Sequence, residues 1–275
     1  MTVTKPASNK AKIARRVIEV LEYFDDTHRE ATVMDIVRRY NRPQSSTSEL
    51  LSSLVELGLL HKDAFSRSYS LTPRAALLGV ASQSQTVRDG GLIRLMDRLV
   101  AQTGLAVAIY GMVGLNTQII SWRAATRGNS MATRGLFGGM QEPIHRSAPG
   151  QLLLSTLPSS RSDGILRRLN AEAPDDGKFA TSAMALRLRD CRENGYALGS
   201  AGFDSSAETL SILLPDMGDS APLADGAPLA VGFAFGPEAR IHIDALLQSL
   251  RDAVNHCLTP DTADQASVES LSTAA

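Results

Sequence analysis

The sequence predicts an α+β chain that opens with a winged helix-turn-helix, and three observations carry that expectation. Three short amphipathic helices precede two short strands near the N-terminus. Farther on, strands are flanked by helices without the regular β-α alternation of a doubly wound sheet. The 275 residues, 43% hydrophobic and 21% charged, suffice for one large domain or two modest ones with a sizeable core. The expected divisions are a winged helix-turn-helix with a basic arm over 1–72, a linker helix over 73–90, an α+β domain over 91–259 and an unstructured tail over 260–275.

Ile13, Val17, Val20, Leu21 and Phe24 fall on one face of a first helix. "DDTHRE" breaks it, and Thr32 followed by Asp35 reads as a capping box opening a second helix through Val33, Ile36, Val37 and Tyr40. Pro43 disfavours helical geometry at Arg42, which makes a turn. The third helix carries Leu50, Leu51, Leu54, Val55 and Leu57 and stops at Gly58. "LLHKD" and "SYSLT" then read as strands flanking the turn "AFSR".

A linker helix is expected from Pro73, and a further helix through Leu92, Leu95, Met96 and Leu99 ends at Gly104. "LAVAIYGM" and "NTQIISWRA" are expected strands, and "RGNSMATRGLFGGMQEP" is an expected loop or flap. "SAPGQLLLSTL" restarts a helix, and "TSAMALRLRDCRENGYALG" makes another, closed by Gly195. "TLSILLPD" and "PLAVGFAFGP" read as strands, with "EARIHIDALLQSLRDAVNHCL" as the closing helix.

The third helix begins with Ser45, Ser46, Thr47 and Ser48, poor residues for a helix interior. In a winged array their small hydroxyls, with Gln44, suit a surface that meets phosphates and base edges without clashing. Charge is distributed in the same sense. Residues 1–76 hold 12 Lys/Arg against 9 Asp/Glu, and the remainder holds 16 against 20. Lys5, Lys10, Lys12, Arg15 and Arg16 precede the first acidic residue, Glu19, as a basic arm suited to a polyanion.

Several function classes find no support. The five histidines show no metal-ligand spacing, and neither a metal nor a cofactor is expected. "GSAG" at Gly199–Gly202 is no nucleophile elbow, and "GLFGG" at Gly135–Gly139 lacks the Lys-Ser/Thr of a phosphate loop. No enzyme is expected. The rival readings are a small-molecule hydrolase or transferase in the C-terminal domain, and a winged-helix scaffold that has lost specific DNA binding. No apolar run approaches a membrane span, and the N-terminus resembles no secretory signal. Two cysteines, Cys191 and Cys257, exclude a disulfide framework, so a cytoplasmic chain is expected.

Five blocks resemble the IclR family of transcription regulators. "LLSSLVELGLLHKD…SYSLTPRAALLG" is similar to the family's "RLLATLVEHGLV…YRLGPRLLELG", and "IHRSAPGQLLLSTL" to its "lH-x-TA-x-GKA-x-LA". "LIRLMDRLVAQTGLAVAIYG", "LRDCRENGYAL" and "AVGFAFGPE" complete the order over Ala11 to Leu258. The resemblance implies a GAF-like C-terminal effector domain, a homodimer or dimer of dimers on a palindromic double-stranded operator, and a small organic acid or aromatic catabolite as effector. The chain departs from the family pattern at Asn41 for Gly, Glu49 for a basic residue, Gln151 for Lys, and Phe233 and Phe235 for the serines of "S-x-S-GP".

The expected DNA contacts are therefore Arg15, Arg16, Arg42, Gln44, Ser45, Ser46, Thr47, Ser48 and Arg67, with Thr47 on the exposed side of the third helix. Glu49 is expected on a solvated face. Ser147, Ala148 and Gly150, at a helix start, would offer backbone N–H groups to an anionic effector. Trp122 and Met131 are expected pocket walls, and Phe233 and Phe235 are expected to fill the pocket and favour apolar or aromatic effectors.

Overall fold

The structure is a computed structural model that describes residues 9–25, 28–77, 90–127, 131–215 and 228–258. It divides into two compact units, 1–82 and 83–275.

In the first unit α1 (Asn9–Tyr23), α2 (Val33–Tyr40) and α3 (Gln44–Glu56) precede an antiparallel pair, β1 (Leu60–Lys62) and β2 (Tyr69–Leu71). The capping box forms as expected. The Thr32 backbone N–H and Oγ1 both donate to Asp35 Oδ2, at 2.8 and 2.7 Å. These bonds, the side-chain one foremost, hold the Asp35 carboxyl below its ordinary pKa. α2 ends at Asn41, whose left-handed φ of 49° is a geometry asparagine tolerates better than most residues. Val20, Ile36, Leu51, Leu54, Leu60 and Tyr69 make the core of this unit. Ile13 departs from the expected inner face at 57% exposure, because the core reaches only the C-terminal half of α1. A short helix, α4 (Pro73–Leu77), follows the wing. The rest of the expected linker helix, 78–89, and the tail lie outside the described residues.

The second unit is built on one six-stranded antiparallel sheet of order β5-β4-β3-β8-β7-β6. Its strands are β3 (Ala106–Val113), β4 (Asn116–Arg123), β5 (Gln141–Pro143), β6 (Tyr196–Ser200), β7 (Glu208–Leu213) and β8 (Leu229–Phe235). One face packs on α5 (Gly91–Thr103) and α9 (Ile243–Leu258) through Leu95, Leu99, Val107, Ile109, Leu210, Phe233 and Leu250. The other packs on α6 (Ala148–Ser155), with α7 (Ser159–Glu172) and α8 (Thr181–Asn194) beyond it, around Ala108, Tyr110, Ile119, Leu152 and Leu153. α5 and α8 stop at Gly104 and Gly195, at φ 74° and 72°.

Three differences from the sequence reading stand out. The expected flap contains a 3₁₀ turn at Met131–Thr133 and the edge strand β5. β6 follows Gly195 directly, where no strand was expected. α7 was not foreseen at all, because its first turn is serine-rich, Gly164 interrupts it and its apolar stripe is narrow.

Phe233 and Phe235 are buried against the α5/α9 layer. The expectation that they fill a pocket is therefore wrong about the face. Residues two apart on a strand share a side, and here that side is the helix-covered core. Phe233→Ala should lower unfolding free energy by about 3–5 kcal/mol, measured by urea denaturation of the full chain. A cost within about 0.5 kcal/mol, the range of surface substitutions, would contradict this placement.

Candidate nucleic-acid interface and candidate ligand site

α3 starts at Pro43, whose extended backbone (φ −60°, ψ 138°) turns the chain into the helix. The Pro43 carbonyl accepts from the Thr47 backbone N–H at 3.1 Å and from Thr47 Oγ1 at 2.9 Å. Thr47 is 1% exposed and sits with Leu51 and Leu54 on the inner face. Its expected exposure is thus corrected: the methyl packs inward and the hydroxyl bonds its own helix start. The outward face carries Gln44, Ser45, Glu49, Ser52 and Glu56, with Ser48 half-buried between them. No Lys or Arg lies in α3.

Two of the expected cations brace this helix instead of projecting from it. Arg42 Nη2 is 3.0 Å from Glu19 Oε1 of α1, and Arg16 Nη2 donates to Ser46 Oγ at 3.2 Å. Ser46 Oγ in turn donates to the Pro43 carbonyl at 3.3 Å. Arg15 and Arg67 are exposed. So are Arg38 and Arg39 in the last turn of α2, two cations that the sequence reading passed over. The wing turn is organised by Asp63, whose Oδ1 accepts from Phe65 N at 2.6 Å and Ser66 N at 3.0 Å. These bonds, that of Ser66 first, hold the Asp63 carboxyl below its ordinary pKa. They present Phe65 fully exposed at the tip, with Arg67 beside it at a left-handed φ of 57°. No motif singled out Phe65. Only the closed turn reveals it.

In the second unit a polar group of side chains is buried between the sheet and α6. Ser147 is the extended N-cap of α6 (φ −113°, ψ 153°) and is 0% exposed. Ala148 and Gly150 are buried with it, and a Cβ at Gly150 would run into the Ile144 carbonyl and Thr117 Oγ1. Glu142, on β5 opposite Thr117, is 8% exposed. Its Oε2 accepts from the Phe203 backbone N–H at 2.9 Å. Burial raises its pKa above the ordinary value, opposed by the Phe203 N–H, by Ser147 and by the Arg146 charge. The Phe203 ring stacks on Tyr110 with centroids 6.5 Å apart. Tyr110 is 0% exposed, and burial pushes its phenol up to about 12.

Of the other expected effector residues, Trp122 packs half-buried against this same core, whereas Met131 is 74% exposed and accepts a 3.6 Å bond from Arg134 at its sulfur. Tyr110 and Glu142 were not foreseen. They lie on separate strands, and only sheet pairing brings them together. Among the described residues no cluster of His, Cys, Asp or Glu could hold a metal, and no helix is long and apolar enough to cross a membrane.

The sequence model of the IclR helix-turn-helix domain matches residues 14–64, which span α1 to the wing. The first unit is thus similar to IclR helix-turn-helix domains over those residues. The chain is 26% identical over 158 residues, 58% of its length, to the Pca regulon regulatory protein of Pseudomonas putida, and the match spans 53% of that relative. Its fold is that of IclR structures. An IclR transcriptional regulator from Alicyclobacillus acidocaldarius matches with a TM-score of 0.54 and 18% identity, over 90% of this chain and 96% of that one. An IclR homolog from Microbacterium hydrocarbonoxydans complexed with 4-hydroxybenzoate matches with a TM-score of 0.50 and 17% identity, over 88% and 95%.

Within the first unit, Thr47→Ala should cost about 1–2 kcal/mol of stability, since it removes a hydroxyl bond and leaves a small gap. Gln44→Ala and Ser45→Ala should change stability by less than about 0.5 kcal/mol. Thermal unfolding of the three variants checks the ranking, and an equal cost at Gln44 would mean that the helix is rotated from this placement.

Proposed function

We propose that this chain is a DNA-binding transcriptional regulator, acting as a homodimer, whose operator binding is modulated by a small molecule held in the C-terminal unit. The outward face of α3 carries the reading. It lies in the segment that the IclR helix-turn-helix model matches and presents an amide and hydroxyls with nothing bulky to keep them from a major groove. Gln44, Ser45 and Ser48 are the base-edge candidates. Arg15, Arg38, Arg39 and Arg67 are the exposed cations that would bind phosphates, and Phe65 would lie at the wing's contact with the backbone or minor groove. Glu49 and Glu56 repel phosphate, so the attraction must come from the flanking cations and not from α3 itself.

Effector control is supported by the likeness to a Pca regulon regulatory protein and by the fold shared with a 4-hydroxybenzoate complex. The buried polar group beside α6 is the place within the second unit where a small molecule would find hydrogen-bonding partners.

Titrating the full chain against the DNA upstream of its own gene, in a gel-shift series at rising salt, tests the proposal. If about four to six phosphates are contacted per dimer, log affinity should fall against log salt with a slope near −4 to −5. A flat salt response, or no shift with any upstream fragment, would contradict DNA binding.

A further inference from the structure

Buried polar atoms in proteins are nearly always hydrogen-bonded, and those that are not call for an explanation, of which a bound partner is one. In the second unit Tyr110 Oη, Glu142 Oε1 and Ser147 Oγ are all buried without a protein hydrogen bond of good geometry, although Thr209 lies beside the phenol and Ser147 beside the carboxyl. Each belongs to a residue at least nine-tenths buried, with Tyr110 and Ser147 at 0% and Glu142 at 8% exposure. They belong to one place. Phe203 ties them together, its N–H on Glu142 Oε2 and its ring on Tyr110, while Ser147 faces the Glu142 carboxyl from the start of α6.

The covering loop is strained. Gly202, Phe203 and Asp204 stand in succession at φ 80°, 57° and 53°, and two of the three carry side chains. Left-handed backbone at residues other than glycine costs of order 1–3 kcal/mol each and persists where the surroundings enforce it, often around a ligand. Gly202 must lack a side chain, since a Cβ there would run into the Glu142 carboxyl. The loop backbone therefore lies directly over Glu142.

We propose that Glu142, Tyr110 and Ser147 form a ligand site, and that it takes a small amine bearing a hydroxyl group in preference to a carboxylate. This rests on the proposed role of the second unit as the effector-binding part. The charge balance selects the class. Among the described residues, the charges that act on Glu142 are those of the exposed Arg146 and of Asp204. The N-terminal end of α6, which would otherwise attract an anion, has the Glu142 carboxyl beside its N-cap Ser147. A ligand carboxylate would meet Glu142 as a like charge in a poorly solvated space. An ammonium group would instead pair with Oε1, beside Ser147 and the Gly202 backbone, and offset the burial that opposes its charge. Tyr110 and Ser147, each able to donate or accept, fit a hydroxyl on the same ligand.

Thermal unfolding of the full chain with two matched pairs of probes decides the matter: ethanolamine against glycolate, and 4-hydroxybenzylamine against 4-hydroxybenzoate. One amine should raise the melting temperature by about 5–10 °C at a hundred times its Kd, with no shift from its carboxylate partner. In Glu142→Gln the amine shift should disappear. Tyr110→Phe should weaken binding about tenfold by calorimetry, one lost hydrogen bond to a charged or polar partner. The proposal is overturned if the carboxylates shift the transition and the amines do not, or if the amine shift survives in Glu142→Gln. It is overturned equally if neither series binds, which would leave ordered water as the sole partner of these atoms. Salt-dependent operator binding by the same preparation reports on the regulator reading separately, so that either result can fail without the other.

Discussion

The rotation of α3 about its own axis decides what the first unit can present to a partner, and the contacts at its first turn set that rotation. Thr47 closes back on the Pro43 carbonyl through both its backbone and its hydroxyl, and its methyl joins Leu51 and Leu54 inside. Arg42 bridges to Glu19, and Arg16 reaches Ser46, so α1 holds the same turn from two sides. With those anchors in place, Gln44, Ser45, Glu49 and Ser52 have only one direction left to face. An exposed ion pair contributes little to stability, about 0–1 kcal/mol. Arg42 with Glu19 matters more as a positional brace than as a source of energy.

Alternation along β8 plays the same part in the second unit. Val231, Phe233 and Phe235 belong to the core beneath α5 and α9. Ala230, Gly232 and Ala234 therefore line the α6 side with small residues, and a Cβ at Gly232 would collide with Ser211 Oγ. That economy of bulk leaves space for Thr209 and Ser211, bonded to one another at 3.0 Å, and for Tyr110 on the neighbouring β3. The large rings and the polar group are thus two consequences of one strand's parity.

Much of the first unit was legible in the sequence because its signals are local. A capping box, a proline at a helix start, asparagine in a left-handed cap and short strands around a polar turn each act within a few residues. The inward face of α3 was read correctly for its leucines and wrongly for Thr47. A threonine hydroxyl looks polar until its bond to the Pro43 carbonyl is seen. In the second unit the element order was legible, apart from α7 and the short strands β5 and β6. The side that Phe233 and Phe235 face was not, because a fully apolar strand has no alternation to show which side is which. Ser147 was legible at its helix start, whereas Tyr110 and Glu142 lie on separate strands that no spacing rule connects.

The central claim is that the outward face of α3 reads an operator. Selection of bound duplexes from a randomised pool, with the full chain and with a variant carrying Ala at Gln44, Ser45 and Ser48, tests it most directly. The account predicts an enriched inverted repeat with half-sites about 10–10.5 base pairs apart, or a multiple of that spacing, and loss of the enrichment in the variant. No enriched sequence, or the same sequence enriched by the variant, would contradict it.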